Sequence, residues 1–317
     1  MVMSLLRNRV ESVVDGIEPA DLSKAVSDLI ERYRADVPAR APVLGTDVEV
    51  AAYIAYRMPA TAAAAASVFS ELARRSLPTP RSMIDVGGGT GAAAWAAGHV
   101  FASLETVTVL DGSGRALEYG ARLAAASPPP MGTAMWRPWR APAALPAADL
   151  VVACYLLGEL DASVQVPVID AMAAAGAVVV VIEPGTPAGY RRILAARRRL
   201  VDAGFGVVAP CPHSVGCPLV DDWCHFSVRV ARSALHRRVK SADLGHEDEK
   251  FSYVAVSQGA SPAAGRVIRH PRYRKGAVGL EVCRAEGHIE KVTVGRADGA
   301  YRAARDVRWG EPWPPGP

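Results

Sequence analysis

The run Ile84-Asp85-Val86-Gly87-Gly88-Gly89-Thr90-Gly91 is the part of the chain best suited to cradling a small ligand. It follows the apolar stretch Met83–Val86 and precedes an Ala-rich stretch beginning near Ala92. Glycines permit a tight turn and a close approach of backbone to ligand, and the helix that follows offers unpaired N–H groups. Gly87, Gly89 and Ala92 match Gly-x-Gly-x-x-(Gly/Ala) formally, a weak pattern on its own. Three details point away from a nicotinamide cofactor. An acid, Asp85, stands two residues before Gly87, the glycines alternate as Asp-x-Gly-x-Gly-x-Gly, and the motif comes after some eighty residues.

This alternation looks like the first motif of class I S-adenosylmethionine (SAM)-dependent methyltransferases, whose loop lies against the cofactor. The resemblance makes Asp85, Gly87, Gly88, Gly89, Thr90 and Gly91 candidate cofactor-binding residues. It also implies a second acid, at the end of strand two, for the ribose hydroxyls. Asp111 fits, since it ends Val107–Leu110 and lies 26 residues after Asp85. Carboxylate acceptors suit a diol and would repel a phosphate. Plain structural roles compete: Asp85 can cap a turn, and Ser113 can cap a helix after Asp111-Gly112.

A later strand, Ala148–Cys154, runs into Tyr155-Leu156-Leu157-Gly158-Glu159. In methyltransferases of this architecture the C-terminal edge of that strand faces the substrate. Enzymes that methylate base amines often carry Asn/Asp-Pro-Pro-aromatic there, and this chain does not. A cytosine-C5 enzyme would place Pro-Cys nearby, whereas Cys154 follows Ala153, so Cys154 reads as a small buried strand residue. Glu159 and Glu183 are candidates for the pocket rim, or equally for a cap or turn. No catalytic residue is assigned.

The remaining cysteines, Cys211, Cys217, Cys224 and Cys283, have the spacing C-x5-C-x6-C-x58-C. Three thiols among Pro and Gly can converge on one centre, with the fourth arriving from a remote strand. Four thiolates match a tetrahedral zinc or an iron–sulfur cluster. Paired Cys-x2-Cys knuckles, usual in zinc ribbons, are absent, and irregular wide spacing suits the larger cluster better. His213 and His225 keep a mixed zinc site open, and unpaired structural cysteine is the competing reading.

These groups need elements to position them. The first ~75 residues read as helical, with Leu22, Val26, Leu29, Ile30 and Tyr33 at helical spacing and a second helix from Pro59 or Ala60 to Arg75. From Ser82, short apolar runs (Met83–Val86, Thr106–Leu110, Leu150–Cys154, Val178–Ile182) alternate with helical patterns (Ala92–Phe101, Arg115–Ala126, Val164–Ala175, Tyr190–Ala203). That is the signature of an α/β fold with a parallel sheet. Beyond ~205 the pattern turns mixed or β-rich, through His225–Val230, Phe251–Val256, Val278–Cys283 and Lys291–Val294. Three parts are expected: a helical extension over 1–77, a SAM-binding Rossmann-like domain over 78–205, and a Cys-rich, basic, metal-binding region over 206–317.

Composition agrees with a folded protein. Of 317 residues half are hydrophobic and 21% charged, which excludes a disordered or fibrous chain. The net charge of +4 hides a split: residues 1–189 hold 14 basic and 19 acidic side chains, residues 190–317 hold 22 and 13. A basic C-terminal part suits a polyanion such as RNA, or a solvated surface with no partner. Its runs are Tyr190–Arg199, His236–Lys240 and Arg266–Lys275. No apolar run approaches a membrane span, and no signal peptide is apparent, so a cytoplasmic location is expected. In that reducing setting cysteines point to metal or catalysis before disulfides.

Taken in order, Tyr53–Thr61, the Asp85–Gly91 loop, Glu183–Pro187, Pro210–His213, Trp223–Phe226 and Glu247–Tyr253 resemble one family. It is the Rsm-twenty-two family, the methyltransferase-like proteins of the mitochondrial small ribosomal subunit and their bacterial relatives. The resemblance implies a class I methyltransferase fold with N- and C-terminal extensions. It implies a [4Fe–4S] cluster on Cys211, Cys217, Cys224 and Cys283, with zinc as the alternative. It further implies a role at the small ribosomal subunit, in rRNA methylation or in assembly. Two other functions stay open: a non-catalytic assembly or RNA-binding factor with a vestigial SAM pocket, and a small-molecule methyltransferase with a zinc module.

Overall fold

The computed structural model of the protein describes residues 9–10, 13, 16–35, 44–232, 245–259 and 262–314. Helix α1 (Pro19–Ala35) buries Leu22, Val26 and Leu29, one stripe at helical spacing. Helix α2 (Asp47–Ala52) starts with a capping box, in which Thr46 accepts from the Glu49 amide and Glu49 from the Thr46 amide. It runs without a break through one π-helical turn, Tyr53–Arg57, into α3 (Met58–Leu72). Such turns bulge a helix locally and often stand at functional sites. This one turns Tyr53 and Arg57 towards the Gly-rich loop. Alanines along α3 let it pack closely on α4 (Ala92–Val100).

Five parallel strands make the first part of the main sheet: β1 (Ser82–Val86), β2 (Thr106–Asp111), β3 (Met135–Pro138), β4 (Ala148–Cys154) and β5 (Gly176–Pro184). Helix α4 connects β1 to β2, α5 (Gly114–Ala124) connects β2 to β3, α6 (Ala162–Ala175) connects β4 to β5, and α7 (Pro187–Asp202) follows β5. Strands β1, β4 and β5 are apolar almost throughout because both faces are covered. The sheet does not end at 205. β6 (Gly206–Ala209), β7 (Phe226–Ala231) and β8 (His246–Ser257) extend it in the order β3-β2-β1-β4-β5-β8-β6, with β7 also on β8. Strand β8 is antiparallel to β5, Val181 facing Val254, and β6 is antiparallel to β8. A mostly parallel sheet running 3-2-1-4-5, completed by one inserted antiparallel strand, is the class I methyltransferase arrangement expected. The strand order reverses between β1 and β4, and ligands bind at such a switch point, beyond the carboxyl ends of the strands.

A second, four-stranded antiparallel sheet comprises β9 (Gly265–Val267), β10 (Arg272–Arg274), β11 (Ala277–Arg284) and β12 (Ile289–Gly295). It buries Val267, Val278, Val282 and Val294 against Ala304 of α8 (Tyr301–Asp306) and against Trp313. Among the described residues no helix is long and apolar enough to cross a membrane.

Candidate functional site

A cavity of about 490 Å³ opens over the carboxyl ends of β1, β2 and β4. Asp85, Gly87, Gly88, Gly89 and Asp111 line it, so five of the seven expected cofactor residues share one wall. The other two do different work. Thr90 is buried, its hydroxyl 3.3 Å from the Met58 sulfur. Gly91 is left-handed (φ 82°), and a Cβ there would sit 2.7 Å from the Trp136 ring, so this glycine makes room for β3.

Asp85 is fully buried, with Oδ2 accepting from the Ala94 amide at 3.1 Å and Oδ1 without a partner among the described residues. A Cβ on Gly88 would come within 2.5 Å of the Asp85 carboxyl, which explains the glycine. Burial, opposed by the Ala94 bond and aided by the charge of Asp111, pushes this carboxyl up to about 7. Asp111 accepts from the amides of Gly89 at 2.8 Å and Ser113 at 2.7 Å. Each of its oxygens keeps a lone pair for a ligand hydroxyl. Burial raises its pKa while those amides pull it down. Ser113 is indeed a cap, accepting from the Ala116 amide at the head of α5.

Of the two rim candidates, only Glu159 faces the cavity. Burial, with Asp111 and Glu183 nearby, pushes it up to about 8. Glu183 is wholly buried beneath the site, accepting from the Leu157 amide at 2.9 Å and the Arg192 guanidinium at 2.6 Å. It fixes the turn after β4 to α7. Cys154 touches the cavity, and burial raises its thiol well above the usual range, which suits a neutral strand residue better than a thiolate nucleophile.

Spacing alone did not reveal a second wall. Arg57 makes a two-pronged pair with Glu249 on β8, at 2.9 and 2.8 Å, and Tyr155 donates to the same carboxylate at 2.6 Å. The Arg57 guanidinium lies 5.0 Å from the Tyr155 ring centroid and 5.7 Å from that of Tyr33. Tyr155 has φ 60°, a left-handed conformation strained for a non-glycine residue and common at functional sites. With Arg57 neutralised by Glu249, the one other lining cation, Arg140, faces Asp111 and Asp161, with Asp85 and Glu159 adding negative charge when they ionise. The field inside favours a cationic ligand.

The four C-terminal cysteines come together. Cys211 after β6, Cys217 and Cys224 in the β6–β7 loop and Cys283 on β11 line one small pocket with Tyr190 and Arg266. All four are free thiols. The Tyr190 hydroxyl is 3.0 Å from the Cys217 sulfur, and His213 Nε2 is 3.4 Å from that of Cys283. Burial and repulsion from Cys211 and Cys217 push Cys283 up to about 12. Among the described residues no His, Cys, Asp or Glu set is drawn round a single metal ion. His225 instead stacks on Trp223 and meets Trp309 edge-on.

The basic helix reads differently in three dimensions. Arg197, expected to contact RNA, is buried and donates to the carbonyls of His213 and Val215 at 2.8 and 2.7 Å. Arg199 pairs with Asp170, and Arg192 with Glu183. A stripe of arginines on a sheet-packed helix has an inward row, and periodicity alone did not separate it from the solvated one. The run His236–Lys240 lies outside the described residues.

A family described as mitochondrial small ribosomal subunit Rsm22 matches residues 47–314. The chain belongs to this family. The human mitochondrial ribosome assembly protein METTL17 is 29% identical over 82% of this chain. An Rsm22-cox11 tandem protein of Schizosaccharomyces pombe is 29% identical over 44% of it. The chain spans about three-fifths of the human relative's length (61%) and 25% of the yeast one's. Among solved structures, magnesium protoporphyrin IX methyltransferase from Synechocystis is similar at TM-score 0.42, with 11% identity over 73% of this chain and 91% of that one. A precorrin-6y methyltransferase from Geobacter metallireducens is similar at TM-score 0.40, with 16% identity over 61% and 87%. In this Rsm22-family chain the block Tyr53–Thr61 forms the π-helical turn and the head of α3. The block Glu247–Tyr253 is the β8 stretch that supplies Glu249.

Proposed function

We propose that the chain is a SAM-binding factor for assembly of the small ribosomal subunit, with rRNA as its partner and an iron–sulfur cluster on Cys211, Cys217, Cys224 and Cys283. The observation that carries this reading is the meeting of those four thiols in one pocket, from a loop and from β11, beside β8, whose Glu249 holds Arg57 of the cavity wall.

The donor set suits the cluster. Burial, with repulsion from neighbouring thiolates, raises the thiols of Cys211, Cys224 and Cys283, so cationic charge is needed to make them thiolates. All four cysteines share one pocket, and their irregular wide spacing, without Cys-x2-Cys knuckles, suits the larger [4Fe–4S] unit better than zinc. Tyr190 and His213 stand ready to donate to sulfur.

The cavity suits SAM. The orphaned Asp85 oxygen and the acidic lining match a ligand bearing ammonium and sulfonium charge, and Asp111 has acceptors for a ribose diol. Bound SAM would supply an electrophilic methyl group. The chain's own residues favour holding over transfer. Tyr155, where an amine methyltransferase carries its Pro-Pro-aromatic segment, is tied to Glu249 and packed by Arg57.

Labelled SAM, purified protein and immature small subunits test this directly. The expected result is SAM and subunit binding with no methyl incorporation. Methylation that disappears in Asp85→Ala would make the chain an rRNA methyltransferase instead. Failure to bind subunits would remove the assembly role.

A further inference from the structure

Between residues 262 and 314 the chain carries eleven basic and six acidic side chains. The fold gathers much of that excess along one edge of the small sheet. Among the described residues strand β10 is an edge strand, paired only with β11. Arg274 and Lys275 lead into its turn at Gly276, and the Gly276 carbonyl accepts from the Arg296 amide at 2.9 Å. Tyr273 is 61% exposed, and its hydroxyl donates at 3.3 Å to the carbonyl of Arg305 at the end of α8. Arg302 lies three residues earlier, on the same helix face.

Acids nearby are committed elsewhere: Glu281 holds Arg272 at 2.9 Å, Glu290 holds Arg284, and Asp298 accepts from the Ala300 amide. Asp306 is the exposed acid closest in sequence. Among the described residues the side chains of Arg274, Lys275, Arg296, Arg302 and Arg305 have no ion-pair partner. Tyr273 is also the one large exposed hydrophobic residue described on this small sheet, with no aliphatic anchor beside it that would enter a lipid surface.

We propose that this edge is an RNA-docking surface, a reading that rests on the rRNA partner proposed above. The guanidinium and ammonium groups meet phosphates, and one unpaired base stacks on Tyr273. A duplex hides its base faces, so the surface takes single-stranded or looped RNA. Strand β11 runs from the tip at Ala277 to Cys283, about 20 Å at the strand rise. The cluster pocket therefore anchors the strand that presents the edge.

Fluorescence anisotropy with a fluorescein-labelled single-stranded fragment of small-subunit rRNA, over a salt series, tests the proposal on the full chain. The double variant Arg274→Glu/Lys275→Glu should weaken binding about tenfold or more and flatten the salt slope by about two contacts. Tyr273→Ala should weaken single-stranded binding about tenfold and leave duplex binding unchanged. Arg198→Glu, which reverses an exposed charge on α7, should change affinity less than about twofold. SAM binding, measured alongside, should be equal in all variants. Wild-type affinity in both the double variant and Tyr273→Ala would overturn the docking edge while sparing the rRNA partner. Equal weakening by Arg198→Glu would reduce it to a net-charge effect and overturn it too. A wild-type chain with no RNA affinity would overturn both.

Discussion

Arg266 and Glu71 are 195 residues apart in sequence and form a buried ion pair at 2.7 Å. The same guanidinium donates to the carbonyls of Pro210 at 2.8 Å and Gly310 at 2.7 Å. One side chain thus joins α3, the residue before Cys211 and the C-terminal segment. Helix α3 starts at the large cavity over β1, β2 and β4 and ends at this pair, so the two candidate sites share a rigid element.

Removing one partner of such a pair leaves an uncompensated buried charge. Arg266→Met should lower unfolding free energy by about 3–5 kcal/mol, read from urea melts. Glu71 adds a pH signature. Burial raises its carboxyl, but Arg266 and Arg75 outweigh that and hold it below the usual range. Its contribution is present above the unfolded carboxylate value and is lost as pH falls through the lower, folded one. The wild type should therefore lose stability in acid more steeply than Glu71→Gln.

Asp85 has the opposite sign. The unfolded chain releases this proton near pH ~4 and the folded chain near about 7. Stability of the ligand-free protein from this group is full below the first value and is lost as pH rises through the second. Asp85→Asn should stabilise the ligand-free protein at pH above 7 by something on the order of 2–4 kcal/mol while abolishing SAM binding. A destabilised variant that still bound SAM would contradict the assigned role.

Binding a cation beside Asp85 and Glu159 favours their charged forms. SAM affinity should rise as pH passes through about 7 and about 8, where these carboxyls titrate. Calorimetry in buffers of different ionisation enthalpy should show proton release near neutral pH. Proton uptake, or affinity independent of pH, would mean that the two acids do not face the ligand's charge.

The cysteines separate by position. Cys217→Ser should lose bound metal and loosen the β6–β7 loop, lowering the melting temperature, because binding free energy of the metal is folding free energy there. Cys154→Ser, at the end of β4, should keep its metal. Metal content and thermal melts of the two variants give the comparison.

Local signals carried much of this structure. The apolar runs at Met83, Thr106, Leu150 and Val178 became β1, β2, β4 and β5 within two residues at every end, because strands covered on both faces are continuous in sequence. Strand β3 gave no such signal: Met135–Pro138 is four residues, largely exposed and ended by proline. Strand β6, again four residues, directly precedes the cysteine loop, and its place beside β8 rests on pairing across some fifty residues. Partners such as Arg57 with Glu249 and Arg266 with Glu71 leave no periodic trace, since either residue alone resembles an ordinary charge. The acid–glycine loop was legible down to the residues facing the cavity. What the sequence concealed was that Thr90 and Gly91 serve packing against Met58 and Trp136.

Iron and acid-labile sulfide analysis of the full chain purified without oxygen tests the account most directly. About four irons and four sulfides per chain are expected, with visible absorption that disappears in Cys283→Ser. A colourless protein with one zinc per chain would contradict the cluster, and with it the reading of the four converging thiols.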